Sequence, residues 1–123
     1  MTRASIVEPD GGDVVQLGPI VMRILEDGST TGHRLGIGEI TIAPHTEGPP
    51  QHRHGRHDEG FYVVSGTARF TVGTTTYDAP AGTLAMIPPG APHTFATRPT
   101  SRWCCSTPSR PTSTSSTSAT CGR

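Results

Sequence analysis

The 123-residue sequence has no long hydrophobic run. Its longest apolar stretches are a few residues, such as 20–22, whereas a membrane-spanning helix needs about 20. The N-terminus carries an early Arg3 but no apolar segment typical of a secretory signal. These absences predict a cytoplasmic protein that does not associate with a membrane.

The sequence also has no excess of charge of either sign. Ten basic and ten acidic residues give a formal net charge of zero and a pI near 7.0. Proteins that bind nucleic acid usually present a basic patch or stripe, and none can be drawn from this sequence. We therefore expect no nucleic-acid partner.

Cysteine does not occur before residue 104, and all three cysteines follow it: Cys104, Cys105 and Cys121. A disulfide framework would spread cysteines through the folded domain. The adjacent pair and one distant residue also do not match the spacing of a structural zinc site. The cysteines therefore favour neither a disulfide framework nor a structural zinc site.

Helical periodicity is absent, whereas glycine and proline together make up about a fifth of the residues. Period-two alternation is clearest in 67–72, with Ala68, Phe70 and Val72 on one face. The pattern predicts an all-β fold of eight or so short strands, arranged as a sandwich or small barrel. The main predicted strands are 20–25, 34–42, 61–64, 67–72, 75–77, 84–87 and 93–96.

Changes in composition divide the chain into three parts. Residues 1–18 are predicted to be a loose lead-in, 19–98 a β-barrel domain, and 99–123 a tail with thirteen Ser or Thr in twenty-five residues. Two hypotheses account for the tail. It is disordered, or it results from a frameshift, because plausible codons for 99–105 read one frame over encode an apolar, strand-like segment.

The first motif with chemical content reads H-x-H-x4-E-x6-G and comprises His52, His54, Glu59 and Gly66. Side chains two residues apart on an extended segment point to the same face, so the two histidines share a direction. Glu59 begins the predicted strand 60–64 and can face the same interior. Gly66 is predicted to be a turn position where either positive φ or tight packing requires glycine.

The second motif reads G-x5-P-x-G-x2-H, from Gly82 through Pro88 and Gly90 to His93. Pro89 and Gly90 suit a type II turn, which would direct His93 toward the first motif. Gly82 is predicted to be a second turn position of the same kind, with positive φ or tight packing as the reason for glycine.

Three imidazoles and one carboxylate can surround one divalent metal ion. Imidazole suits iron, nickel, zinc and copper, and the carboxylate keeps manganese and cobalt open. On an octahedral ion, four protein ligands would leave two positions for water, oxygen or substrate.

The remaining histidines are weaker candidates. His57 departs from period two relative to His54 and neighbours Asp58, so we expect it to be a solvated loop residue. His33 and His45 have still less support as ligands.

The segments 48–54 and 58–66 resemble the first motif of small single-domain cupins often described as quercetin-dioxygenase-like. The resemblance covers roughly residues 35–97. It implies a double-stranded β-helix, or jelly roll, in which His52, His54, Glu59 and His93 bind the metal. It also implies a small-molecule substrate or ligand. Cupin relatives often pair as homodimers, but the N-terminal strand and the tail of this chain leave the choice between monomer and homodimer open.

The sequence departs from this family pattern at several places. Thr46 stands where a glycine is usual, with Gly48 nearby, and Thr97 stands where an asparagine often follows the last histidine. The apolar strands that normally close the barrel are missing after 98, so the barrel is expected to be incomplete at its C-terminus. A product that folds poorly for this reason is one hypothesis.

Two functional hypotheses remain open at this point. One is a metal-dependent, dioxygenase-like enzyme for a small organic substrate, in which Glu59 could also serve as a base. The other is a non-catalytic cupin that binds or senses a small molecule, with a structural metal or none. Because no separate acid–base pair is evident, the sequence assigns no catalytic residue, and fold alone cannot decide the reaction.

Overall fold

A computed structural model describes residues 3–97 and, for the backbone, 101–107. Nine β-strands and no helix occur within these ranges. The first four strands are β1 (Asp13–Leu17), β2 (Ile20–Glu26), β3 (Gly36–Ile42) and β4 (Glu59–Ser65). The others are β5 (Thr67–Val72), β6 (Thr75–Pro80), β7 (Leu84–Ile87), β8 (His93–Thr97) and β9 (Ser101–Thr107). Across the described ranges, no helix is long and apolar enough to cross a membrane.

Six strands form the larger antiparallel sheet, in the order β1-β2-β3-β9-β4-β7. Burial along β3 alternates strictly, and Ile40 and Ile42 point into the protein. The last strand, β9, lies between β3 and β4 and pairs with both.

The smaller sheet has the order β6-β5-β8. In β5, Ala68 and Phe70 are buried, and Phe70 lies opposite Tyr77 on one side and Phe95 on the other. The period-two prediction for 67–72 is confirmed at Ala68 and Phe70, whereas Val72 is only half-buried and packs against the edge of the core.

The two sheets pack face to face around one apolar core that draws on both. The Phe61 ring lies 5.2 Å from that of Phe70 and 5.8 Å from that of Phe95, measured between centroids. Such contacts add to the burial of apolar area that stabilises the fold. The buried apolar residues are Ile40, Ile42, Phe61, Val63, Ala68, Phe70, Ala79, Ile87 and Phe95. The all-β prediction is confirmed, but the sheets are not closed into a barrel in the described part of the chain.

Two strands lie where the sequence predicted none. β1 falls within the predicted lead-in 1–18, and all five of its residues are exposed, so no alternation of polarity marks it. β9 falls within the predicted tail 99–123 and is held by backbone pairing, which requires no apolar pattern. Strand pairing thus continues beyond residue 98, contrary to the expectation that the closing strands are missing.

The three-part division itself remains a prediction. Residues 1–2, 98–100 and 108–123 lie outside the described residues. The backbone of 101–107 forms β9, and the choice between a disordered tail and a frameshifted one stays untested. The two turn glycines behave as expected, since φ is 73° at Gly66 and 89° at Gly82.

Candidate metal centre

His52 and His93 are joined through their backbones. The His52 amide donates to the His93 carbonyl at 2.9 Å, and the His93 amide donates to the His52 carbonyl at 2.7 Å. His52 is not part of any of the nine strands. This isolated pair of hydrogen bonds therefore fixes the first motif against β8. The two imidazole centroids lie 4.5 Å apart as a result.

His54 is held by the turn of the second motif. Gly90, with φ of 80°, donates its amide to the His54 carbonyl at 2.6 Å, and Ala91 donates to Pro88 across the turn. The predicted Pro-Gly turn is present and supports both motifs. The turn leads into His93, and its Gly90 amide is hydrogen-bonded to the backbone of His54.

Glu59 is the first residue of β4 and is 4% exposed. Its Oε2 atom lies 2.8 Å from Nε2 of His93 and 3.0 Å from Nε2 of His54. The His93 contact has hydrogen-bond geometry, whereas His54 Nε2 is buried without a hydrogen-bond partner. Two imidazole nitrogens thus converge on one carboxylate oxygen.

The structure brings the four predicted residues together. One ligand atom each from His52, His54, Glu59 and His93 lies within 4.8 Å of the other three. The His52 and His54 centroids are 5.2 Å apart, and those of His54 and His93 are 5.6 Å apart. These four residues are called the histidine–glutamate cluster below, and they could hold one metal ion.

Hydrogen bonds on the outer side of the cluster fix the tautomers of two histidines. Nδ1 of His52 lies 3.2 Å from the Pro50 carbonyl, and Nδ1 of His93 lies 2.9 Å from the Ala91 carbonyl. A carbonyl oxygen can only accept, so each Nδ1 must carry the proton. In the neutral rings, Nε2 therefore presents its lone pair to the interior, which is the arrangement that ligating histidines use.

Two of the imidazoles have shifted pKa values. Burial lowers the pKa of His54, against an opposing attraction to Glu59. Burial also acts to lower the pKa of His93, but hydrogen bonds to the Glu59 carboxylate and the Ala91 carbonyl outweigh it, and the pKa is raised. Without a metal, a proton on His93 satisfies the Glu59 oxygen, and a cation in its place would satisfy both groups.

The donor set therefore fits a divalent metal. Neutral nitrogen lone pairs and one carboxylate oxygen face each other in a partly buried site, where uncompensated acceptors are costly. The set suits iron, nickel, zinc, copper, manganese or cobalt.

The other histidines differ in their surroundings. His33 and His45 are exposed and lie outside the cluster, with φ of 59° and 53°. His57 was expected to be solvated, but its ring lies 4.5 Å from that of His54 and its Nε2 is buried. Period two failed to predict this because 55–58 is not a strand and its side chains do not alternate.

The family model described as "Cupin domain" matches residues 38–103, more than half of the chain. The chain belongs to the cupin family. The predicted jelly roll is confirmed by cupins of known structure, whereas the quercetin-dioxygenase-like specificity stays a prediction.

Solved structures support the fold at low sequence identity. KdgF from Halomonas sp. is 21% identical with a TM-score of 0.73, and the match covers 87% of this chain and 96% of that one. An RmlC-like cupin from Shewanella frigidimarina is 24% identical, with a TM-score of 0.70 and coverage of 89% and 94%. Ectoine synthase from P. lautus is 21% identical, with a TM-score of 0.71 and coverage of 85% and 78%. No curated protein matches the sequence.

Proposed function

We propose that this cupin is a metal-dependent, dioxygenase-like enzyme that acts on a small organic substrate. The observation that carries the proposal is the histidine–glutamate cluster, with ligand atoms within 4.8 Å of one another inside the jelly roll. Its members are His52, His54, Glu59 and His93. Neighbours of similar fold include ectoine synthase, so small-molecule chemistry occurs on this scaffold.

A bound divalent ion would act as a Lewis acid and orient oxygen-bearing groups at its open positions. The chain's own contribution is to hold the donors rigidly. Pro50 and Ala91 carbonyls fix the outer nitrogens of His52 and His93, and the paired backbones of these two histidines set their separation. Support of this kind typically strengthens metal sites.

Glu59 is the residue best placed to hold or move a proton. Its Oε2 already shares a hydrogen bond with Nε2 of His93 at 2.8 Å. If the carboxylate exchanges between metal and proton, it would serve as the base of the reaction. Buried Phe61 lies 6.3 Å from the His93 ring and forms part of the apolar surroundings that limit the access of water.

The test combines metal analysis with oxygen uptake. We expect purified protein to hold about one divalent ion per chain and to consume oxygen with flavonol-type substrates or other small oxygenated aromatics. A His52→Ala, His54→Ala double variant should lose both properties, and a His45→Asn variant, altered at an exposed histidine, should keep them.

A metal-loaded protein that turns over no member of a broad substrate panel would contradict the enzymatic proposal. That result would favour a cupin that binds or senses a small molecule with a structural metal. Absence of metal from both the wild type and the double variant would contradict the metal centre itself.

We also propose that the protein forms a homodimer through the edge of the larger sheet. β1 is an edge strand, and its Val14 and Leu17 are 64% and 59% exposed. An exposed apolar edge with unpaired backbone groups is a site where strands of two copies can pair. A Val14→Lys, Leu17→Lys variant should sediment as a folded monomer where the wild type sediments as a dimer. A monomeric wild type would contradict the proposal.

A further inference from the structure

His57 has an unexplained buried nitrogen. Its ring lies 4.5 Å from that of His54 between centroids, with 32° between the planes. Its Nε2 atom has essentially no accessible surface and no hydrogen-bond partner. Within the described part of the chain, Nε2 of His54 is the other buried side-chain atom in this condition.

A buried polar atom without a partner costs about 1–3 kcal/mol, so native proteins rarely keep one without a reason. For His54 the reason is at hand, because its Nε2 lies 3.0 Å from the Glu59 oxygen within the histidine–glutamate cluster. For His57 the four-residue cluster gives none. Water cannot supply the partner either, since the atom is closed to solvent.

The local chain turns His57 inward against the trend of its neighbours. Gly55, Arg56 and Asp58 are exposed, whereas His57 is partly buried against His54. A Cβ atom added to Gly55 would meet nothing within 4 Å, so the segment is not packed tightly at this point. His57, whose ring stacks on that of His54 in the cluster, therefore lies beside the cluster on a segment with room to adjust.

We propose that His57 is an auxiliary metal ligand, whose Nε2 provides a fifth protein donor to an ion held by the histidine–glutamate cluster. The inference rests on the proposed metal centre. His57 lies outside the group of atoms within 4.8 Å, so its ring must approach when the ion binds. Five protein donors on an octahedral ion leave one position, so the substrate would bind through one atom rather than as a chelate.

The test counts imidazole ligands by X-ray absorption spectroscopy of the cobalt-loaded protein. We expect four imidazoles in the wild type and three in a His57→Phe variant, which keeps a ring against His54 but removes the nitrogen. Cobalt affinity should fall roughly 10- to 100-fold, the range seen when groups that support a metal site are lost. A His45→Asn variant serves as the matched histidine control and should retain wild-type values.

Three imidazoles in both the wild type and His57→Phe would overturn the inference and leave the metal centre standing. A His57→Ala variant separates ligation from ring packing. If His57→Ala weakens cobalt binding while His57→Phe binds like the wild type, packing alone accounts for His57 and the inference fails. If the wild type and the His52→Ala, His54→Ala variant both bind no cobalt, the proposed metal centre fails and this inference fails with it.

Discussion

Gly48 is expected to be essential to the placement of the first motif. The chain passes so close to β8 here that a Cβ atom at residue 48 would overlap the carbonyl oxygen of Phe95. The same atom would lie 2.9 Å from Cδ2 and 3.0 Å from the carbonyl carbon of Phe95. A Gly48→Ala substitution must therefore push the segment 46–50 away from β8, because a backbone oxygen cannot rotate aside.

The cost follows from the hydrogen bonds that this displacement breaks. The Thr97 amide donates to Thr46 at 2.9 Å, the Thr46 amide donates to the Thr97 hydroxyl at 3.0 Å, and the Thr94 hydroxyl donates to Pro49. Each such bond contributes about 0.5–1.5 kcal/mol net, so we expect a loss of about 2–4 kcal/mol in the free energy of unfolding. With a urea slope of about 2 kcal/mol per molar, the midpoint should fall by about 1–2 M.

Urea unfolding of the metal-free protein, followed by far-UV circular dichroism, measures this loss. Gly55→Ala is the matched control, because an added Cβ there meets nothing within 4 Å and the residue has no positive φ. We expect the control to be neutral or slightly stabilising, since alanine reduces the entropy of the unfolded chain. Equal midpoints for the two variants would refute the close approach of residue 48 to β8.

The remaining predictions concern the histidine–glutamate cluster and its titration. Glu59→Gln should lower metal affinity by roughly 10- to 100-fold or more, as measured by calorimetry. It should also lower the pKa of His93, as measured by NMR titration, because the hydrogen bond to Glu59 contributes more to raising this pKa than the hydrogen bond to Ala91 does; an unchanged His93 pKa would contradict the 2.8 Å contact. Metal affinity should decline as pH falls, starting above the ordinary imidazole value of about 6.5, because His93 takes up a proton there; a flat profile between pH 8 and 6 would count against ligation by His93. In the metal-free protein, folding stability depends on pH in the direction opposite to metal affinity. The protonated His93–Glu59 pair stabilises the fold below about pH 6.5, and this contribution is lost as pH rises through the raised pKa of His93. The contribution of the pair is measured by comparing the melting temperatures of the wild type and Glu59→Gln across this pH range. If the two melting temperatures change with pH in parallel, the pair does not contribute to stability.

The sequence predicted the strands that carry an apolar pattern or end in a clear turn. The predicted strands 67–72 and 84–87 coincide with β5 and β7, and the predicted turns at Gly66 and Gly82 are present, with positive φ at both glycines. These elements are set by local rules, namely alternation and backbone freedom. The convergence of the two motifs was also predictable, because the Pro-Gly turn fixes the direction of the second.

What could not be predicted depends on contacts between distant segments. β1 and β9 are identified by their pairing partners, β2 for the first and β3 and β4 for the second, rather than by their own composition. The partial burial of His57 results from packing against the His54 ring and not from the alternation of side chains along a strand.

The two departures from the family pattern show a related effect. Thr46 and Thr97, each unusual alone, contact one another through two hydrogen bonds that involve their amides. A third bond joins the Thr97 hydroxyl to the Ala43 carbonyl at 2.7 Å. Thr46 and Thr97 are 51 residues apart in the sequence, so their contact could not be predicted from either residue alone.

The position of β9 has a consequence for the order of events during synthesis. β3 and β4 are synthesised before β9, the strand that lies between them in the larger sheet. The ribosome adds β9 dozens of residues after either of them. Until then both strands present open hydrogen-bonding edges, and such edges invite association between nascent chains. Closing loops of this length is also slow, so a late, concerted folding step and a reliance on chaperones during that interval are to be expected.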